Sequence, residues 1–166
     1  RTFSSAASDV YKRQPQFETV RPYYEPGYNP IAGSVHFIAE KMKGHITAER
    51  FQRIRDAWPG TILVKGVLDP EEARHYIDLG ADGIVVSNHG GRQFDAAPSP
   101  VQVLPQIREA IGPTMPLLAD GGVRSGLDIA RMLALGADFV LIGRPFVYAV
   151  AAMDRRGGDH VMHVLK

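Results

Sequence analysis

Four short apolar runs divide the chain: Thr61-Ile62-Leu63-Val64, Gly83-Ile84-Val85-Val86, Pro116-Leu117-Leu118-Ala119 and Phe139-Val140-Leu141-Ile142. Each is bounded by turn residues, and the stretches between them repeat their apolar positions at helical spacing, so strands are predicted to alternate with helices. Thr47 is placed to cap a helix reaching about Trp58, with Phe51, Ile54 and Arg55 at helical spacing and Pro59-Gly60 ending it. Asp69-Pro70-Glu71-Glu72 combines an N-cap, a first-turn proline and acids that suit the positive end of the helix dipole. That helix should end near Leu79, with Gly80 just past it. Ser99 precedes a helix over Pro100 to Ile111, and a fourth is expected over Gly126 to Leu135 with Met132 and Leu133 on its core side. The strands are apolar throughout rather than alternating, as expected of a parallel sheet covered on both faces. Leu79-Gly80-Ala81-Asp82 is echoed by Leu135-Gly136-Ala137-Asp138, each at a helix-to-strand junction. The fold class read from the pattern is parallel α/β.

The polar and glycine-rich residues cluster after the strands. Lys65 follows the first; Ser87-Asn88-His89-Gly90-Gly91-Arg92-Gln93 follows the second; Asp120-Gly121-Gly122-Val123-Arg124 and Gly143-Arg144-Pro145 follow the third and fourth. Strand C-termini carry the active site in (β/α)8 barrels and the ligand crevice in doubly wound sheets, so placement alone leaves both folds open. Glycines in a turn that leads into a helix let anionic oxygens approach backbone N–H groups, and two Gly/Arg clusters on neighbouring strands suit one phosphate. His89 can accept a proton near neutral pH, while Arg92 can grip a carboxylate bidentately, so one loop offers a base and an anion clamp.

Composition narrows the chemistry. Nineteen basic and eighteen acidic residues leave a formal charge of +1 in 166 residues, with no basic block, so nucleic acid is not an expected partner. The absence of cysteine rules out disulfides, thiol catalysis and thiolate metal sites. Redox chemistry would need a borrowed cofactor. His160 and His163, with only Asp159 beside them, read as a solvated helix face rather than metal ligands, and no metal is expected. Arg155-Arg156 reads as a surface pair next to a Gly-Gly turn, and Tyr23, Tyr24 and Tyr28 as part of a packed loop. His36, His45 and His75 have no supporting neighbours. The polar stretch Arg1 to Gln14 changes character at Pro15 and is expected to be a non-native leader, followed by an irregular segment and a short helix over 15–46.

Taken together and in this order, the clusters resemble the C-terminal half of the FMN-dependent α-hydroxy acid oxidase and dehydrogenase family, which includes glycolate oxidase, lactate oxidase and L-lactate dehydrogenase. The resemblance runs from about Ile46 to Lys166, and Ser87 to Gln93 match the family's active-site motif at every position. It implies a partial (β/α)8 barrel, strands five to eight, over residues 47–166. It implies that His89 is the catalytic base, that Arg92 binds the substrate carboxylate, and that Lys65 sits beside the flavin where its charge stabilises the anionic reduced ring. Ser87 would contact the ring. Asp120, Gly121, Gly122 and Arg124 would bind the ribityl chain and phosphate, with Gly143 and Arg144 completing the phosphate site.

The implied reaction takes a small L-2-hydroxy acid such as lactate to its 2-oxo acid. The electron acceptor would be oxygen, a quinone or a cytochrome. A cytoplasmic location is expected, with peripheral membrane attachment as the alternative, and a homo-oligomer for the full-length protein. The family's N-terminal half carries substrate-contacting tyrosines, a second arginine for the carboxylate and the acid that orients the histidine. None of these has a counterpart in the matched stretch, and a complete barrel needs about 250 residues, so the chain is expected to be a fragment. Other readings are another FMN or phosphate-binding barrel, or an inactive half-barrel that binds FMN.

Overall fold

Helices and strands alternate through the described part of the computed structural model, residues 46–166. The order is α1 (Ala48–Ala57), β1 (Leu63–Val67), α2 (Pro70–Asp78), β2 (Gly83–Val86), α3 (Pro100–Ile111), β3 (Leu117–Ala119), α4 (Gly126–Ala134), β4 (Phe139–Val140), α5 (Arg144–Met153) and α6 (Gly157–Leu165). Single turns of 3-10 helix lie at His89–Gly91 and Asp154–Arg156. The leader, the irregular segment before Ile46, and Tyr23, Tyr24, Tyr28, His36 and His45 lie outside the described residues.

The caps act as the side chains predict. Thr47 Oγ1 accepts from Arg50 N, Asp69 Oδ1 accepts from Glu71 N and Glu72 N, and Ser99 and Gln102 form a capping box. Gly80 ends the α2 segment in the left-handed region at φ +98°. The four strands pair in parallel and in chain order, β1-β2-β3-β4. These are four successive βα units, the repeat from which a (β/α)8 barrel is built. Ile84, Val86, Leu104, Ile107, Leu117, Ala119 and Met132 form the core between sheet and helices.

Several sequence expectations change. β1 begins at Leu63, so Lys65 lies inside the strand rather than after it. Pairing matches Lys65 with Val85 and Val67 with Val86, leaving Gly66 as the extra residue of a bulge at φ +103°. Lys65 and Val67 thereby act as consecutive ladder positions and face opposite sides: Val67 is buried in the core while Lys65 is half exposed. Uniform burial of the strands holds only at the centre. β2 is buried at all four positions, whereas Leu63 of β1 and Phe139 of β4 are exposed, because β1 and β4 are the sheet's edges among the described residues. Met132 is buried but Leu133 is exposed. Gly157-Gly158 opens α6 instead of forming a turn.

The repeated Leu-Gly-Ala-Asp sequences prove to be one device used twice at the N-terminal ends of the strands. Asp82 Oδ2 accepts from Ile62 N and from Arg55 Nη1, both at 2.8 Å. Asp138 Oδ2 accepts from Leu117 N at 2.8 Å and from Arg108 Nη2 at 2.7 Å. Arg55 also donates to the carbonyls of Gly80, Trp58 and Gly60, and Arg108 to those of Gly136, Gly112 and Met115. Each arginine thus closes the loop that leaves its own helix and the junction one unit later. The glycines are required: a Cβ on Gly136 would stand 2.9 Å from Arg108 Cγ, and Gly136 has φ +110°.

Hydrogen bonds from the strand amides and arginines hold the Asp82 and Asp138 carboxyls below the ordinary aspartate value. Groups depressed in the folded state contribute stability above their unfolded value of about 3.9, and that contribution is lost as pH falls through the folded value. Asp138→Asn is therefore expected to flatten the loss of stability below about pH 4. Arg108→Met should lower stability by about 2–3 kcal/mol, because three loop carbonyls lose a charged donor. Urea midpoints across pH test both.

Candidate active site

Parallel pairing brings the C-terminal ends of all four strands to one edge, where a cleft of about 630 Å³ opens. Nine of the ten residues singled out from the sequence line it: Lys65, His89, Arg92, Asp120, Gly121, Gly122, Arg124, Gly143 and Arg144. Ser87 does not. It is the buried polar residue behind the lining, 2% exposed, and its hydroxyl oxygen accepts from Lys65 Nζ at 2.9 Å and from His89 N at 3.1 Å.

Lys65 is held from two sides, since its Nζ also pairs with Asp120 Oδ2 at 2.9 Å. Among the described residues, Asp120 Oδ1 is the buried polar side-chain atom that has no hydrogen-bond partner. A buried acceptor in that state costs free energy unless a donor meets it. Arg92, Arg124 and Arg144 form no ion pair among the described residues, so three cations share the cleft while its one carboxylate is engaged by Lys65. Clustered cations of this kind are an anion site.

The loops are shaped for close approach. Gly121 and Gly122 have φ +92° and +81°, and a Cβ on Gly122 or Gly143 would meet nothing within 4 Å. Side chains there would fill the cleft. Gly90, at φ +68°, lies under the Arg144 guanidinium: a Cβ would stand 3.1 Å from Arg144 Nη2. Arg144 therefore reaches across from the β4 loop to the histidine loop.

Two contributors were not apparent from sequence clusters. Asp128 Oδ2 accepts from Arg124 N, Ser125 N and Ser125 Oγ at 2.9 to 3.1 Å, closing the glycine loop onto α4. Those hydrogen bonds, with the Arg124 amide foremost, lower its pKa. The Ser125-to-Asp128 spacing is a capping box and could have revealed it. Tyr148 also lines the cleft, one helical turn beyond Arg144, so its signal was an i, i+4 spacing on a helix that the apolar pattern did not predict. His160 and His163 lie on α6, away from the cleft lining.

Residues 3–166 match the protein family described as FMN-dependent dehydrogenase. The chain belongs to that family. The match takes in residues on both sides of Ile46. Among relatives, an L-lactate dehydrogenase of Caulobacter sp. (strain K31) is 62% identical over 112 residues, which is 68% of this chain and 29% of that protein. An L-lactate dehydrogenase of Actinobacillus pleuropneumoniae serotype 5b (strain L20) is 47% identical over 132 residues, 80% of this chain and 35% of that protein. A crystal structure of mandelate oxidase with benzoyl-formic acid superposes with a TM-score of 0.69 at 42% identity, covering 72% of this chain and 36% of the oxidase. The chain thus spans about a third of the length of the relatives it matches.

The family's cofactor is FMN, and the cleft suits it on observations independent of the family. Its volume lies within the 300–1,000 Å³ or so usual for such sites. The unpaired arginines suit a phosphate, the open faces of Gly122 and Gly143 leave backbone N–H groups approachable, and Asp120 Oδ1 is an acceptor suited to a chain hydroxyl. No described helix is long and apolar enough to cross a membrane.

Inorganic phosphate is expected to raise the Tm of the protein, by an amount that grows with phosphate concentration. Replacing Arg124 and Arg144 together with alanine should remove most of that shift. A Tm indifferent to phosphate would contradict an anion site.

Proposed function

We propose that this chain supplies the C-terminal half of an FMN-dependent active site that oxidises a small L-2-hydroxy acid, lactate or one close to it, to the 2-oxo acid. The observation that carries the reading is the meeting of His89, Arg92, Lys65 and the Arg124/Arg144 pair in a single cleft. Three unpaired arginines suit a phosphate and a separate carboxylate, which is the charge pattern of a phosphorylated cofactor beside a hydroxy acid.

In this reading residues 47–166 are the C-terminal half of an FMN-binding barrel. Arg124, Arg144, Gly122 and Gly143 hold the phosphate, Gly121 allows the approach of the ribityl chain, and Asp120 accepts from a ribityl hydroxyl. Bound FMN supplies a two-electron acceptor next to the substrate. Lys65, fixed by Ser87 Oγ and Asp120 Oδ2, presents a cation toward the flavin, where added negative charge is stabilised. Ser87 acts on the ring side of the site through Lys65. Arg92 takes the substrate carboxylate in a two-pronged grip, which fixes the carbinol carbon relative to His89. His89 is exposed to the cleft, and its imidazole is placed to accept one of the two protons the hydroxy acid loses, while the second proton and the electron pair would go to the bound flavin. Among the described residues no carboxylate bonds that imidazole, in keeping with an orienting acid elsewhere in the complete protein.

Turnover needs a second electron acceptor of the oxygen, quinone or cytochrome class. The complete protein is proposed to be a homo-oligomer acting in the cytoplasm or at a membrane surface. The names of the L-lactate dehydrogenase and mandelate oxidase relatives support the substrate class.

The test uses the complete protein that carries this chain, loaded with FMN. His89→Gln is expected to keep its yellow colour yet lose bleaching by L-lactate, about a hundredfold or more in rate. Normal bleaching in that variant would remove the base assignment. Arg92→Lys replaces a fork with a point charge and should raise the substrate KM about tenfold or more with FMN retained. An unchanged KM would count against the carboxylate clamp.

A further inference from the structure

We infer that Asn88 is the positioning residue of the site: its side chain locks the base loop in the conformation that aims His89, and braces that loop against the cofactor loop after β3. The inference rests on the reading of His89 as the base.

The histidine loop is strained. His89 has φ +56°, in the left-handed region that side-chain-bearing residues rarely adopt, and Gly90 and Gly91 follow at +68° and +74°. A β-carbon disfavours that conformation, so surrounding bonds must impose it. Three successive left-handed residues make a single turn that neither a right-handed helix nor a sheet ladder continues. Here all three N–H groups are taken by the two preceding residues. His89 N donates to Ser87 Oγ at 3.1 Å, Gly90 N to Asn88 Oδ1 at 3.0 Å, and Gly91 N to the Asn88 carbonyl at 3.1 Å.

Asn88 also works outward. Its Nδ2 donates to the Pro98 carbonyl at 3.5 Å, joining the start of the loop to its far end. On the opposite side, a Cβ on Gly121 would stand 3.1 Å from Asn88 Oδ1 and 3.3 Å from Pro100 Cγ. The amide is therefore packed on the backbone of the Asp120-Gly121-Gly122 loop. Ser87, already occupied with Lys65, fixes the start of the base loop, and the Asn88 side chain spans from that loop to the cofactor loop. Since no described carboxylate bonds the imidazole, its direction within this half of the site comes from the backbone that Asn88 holds.

The experiment compares Asn88→Ala, Asn88→Asp and His89→Gln in the complete FMN-loaded protein. Asp keeps the acceptor for Gly90 N–H, while it replaces the donor to Pro98 with a charged acceptor. Asn88→Ala is expected to lower kcat about 10- to 100-fold, with KM changed less than about threefold and FMN retained, because a misaimed base acts on the transition state alone. Amide exchange at Gly90 should accelerate about tenfold, reporting the lost hydrogen bond without reference to turnover. Asn88→Asp should restore most of both. Wild-type kcat in Asn88→Ala, or an Asp variant as slow as the Ala variant, overturns the inference. If Asn88→Ala does not fold, the Asp variant decides: near-normal kcat with slow Gly90 exchange supports the role, and a rate as low as that of His89→Gln overturns it. His89→Gln separates the two readings. Should it turn over normally, the base assignment fails; should it be inactive while Asn88→Ala is normal, only the role of Asn88 fails.

Discussion

Parallel pairing in chain order is the constraint on which everything else rests. When every strand runs the same way, each helix must carry the chain back to the starting end, and all strand C-termini meet at one edge. Lys65, His89, Asp120 and Arg144 lie far apart in sequence and one strand apart in space. The ladder also decides what each strand can bury. β2, flanked by β1 and β3, is closed on all sides and supplies the rigid platform from which the His89 loop leaves. The outer strands carry exposed apolar residues because each has one partner among the described residues.

The two ends of the sheet treat charge in opposite ways. At the N-terminal end, Arg55 meets Asp82 and Arg108 meets Asp138, and each guanidinium is further surrounded by loop carbonyls. Those charges are satisfied within the chain and hold successive units in register. At the C-terminal end, three arginines face a cleft whose one carboxylate is already engaged. Such an arrangement raises the energy of the isolated chain and lowers it when anions are bound. A fold braced at one end can carry unpaired charge at the other, which is the general division of labour in βα barrels.

Much of this was legible in sequence because local chemistry controls it. Thr47 and Asp69 satisfy helix-end amides and Ser99 pairs with Gln102 across the first turn, so the starts of α1, α2 and α3 follow from local sequence. The Leu-Gly-Ala-Asp echo marked two equivalent junctions before their arginine partners were known. The failures have equally specific causes. α5 was not predicted, and α6 was read only as a helix face around His160 and His163, because Gly157-Gly158 looks like a breaker rather than a helix start. In the fold Gly157 is where two helices touch: a Cβ there would stand 2.3 Å from the Ala149 carbonyl oxygen, so close packing demands glycine inside a helical segment. Leu133 follows the same apolar pattern as Met132, yet only neighbouring elements decide which side of α4 is covered.

The sequence by itself determined the parallel α/β class, the alternation of elements, and the set of residues at the strand ends, since period, caps and glycine placement are properties of neighbouring residues. Tertiary structure decided how those residues act on one another. The bulge at Gly66 puts Val67 in the core and leaves Lys65 on the cleft side, Ser87 and Asp120 converge on the Lys65 ammonium group, Arg144 crosses to Gly90, and Asn88 bridges two loops. These are contacts between strands, and their distances depend on register and twist, which no single stretch of chain contains.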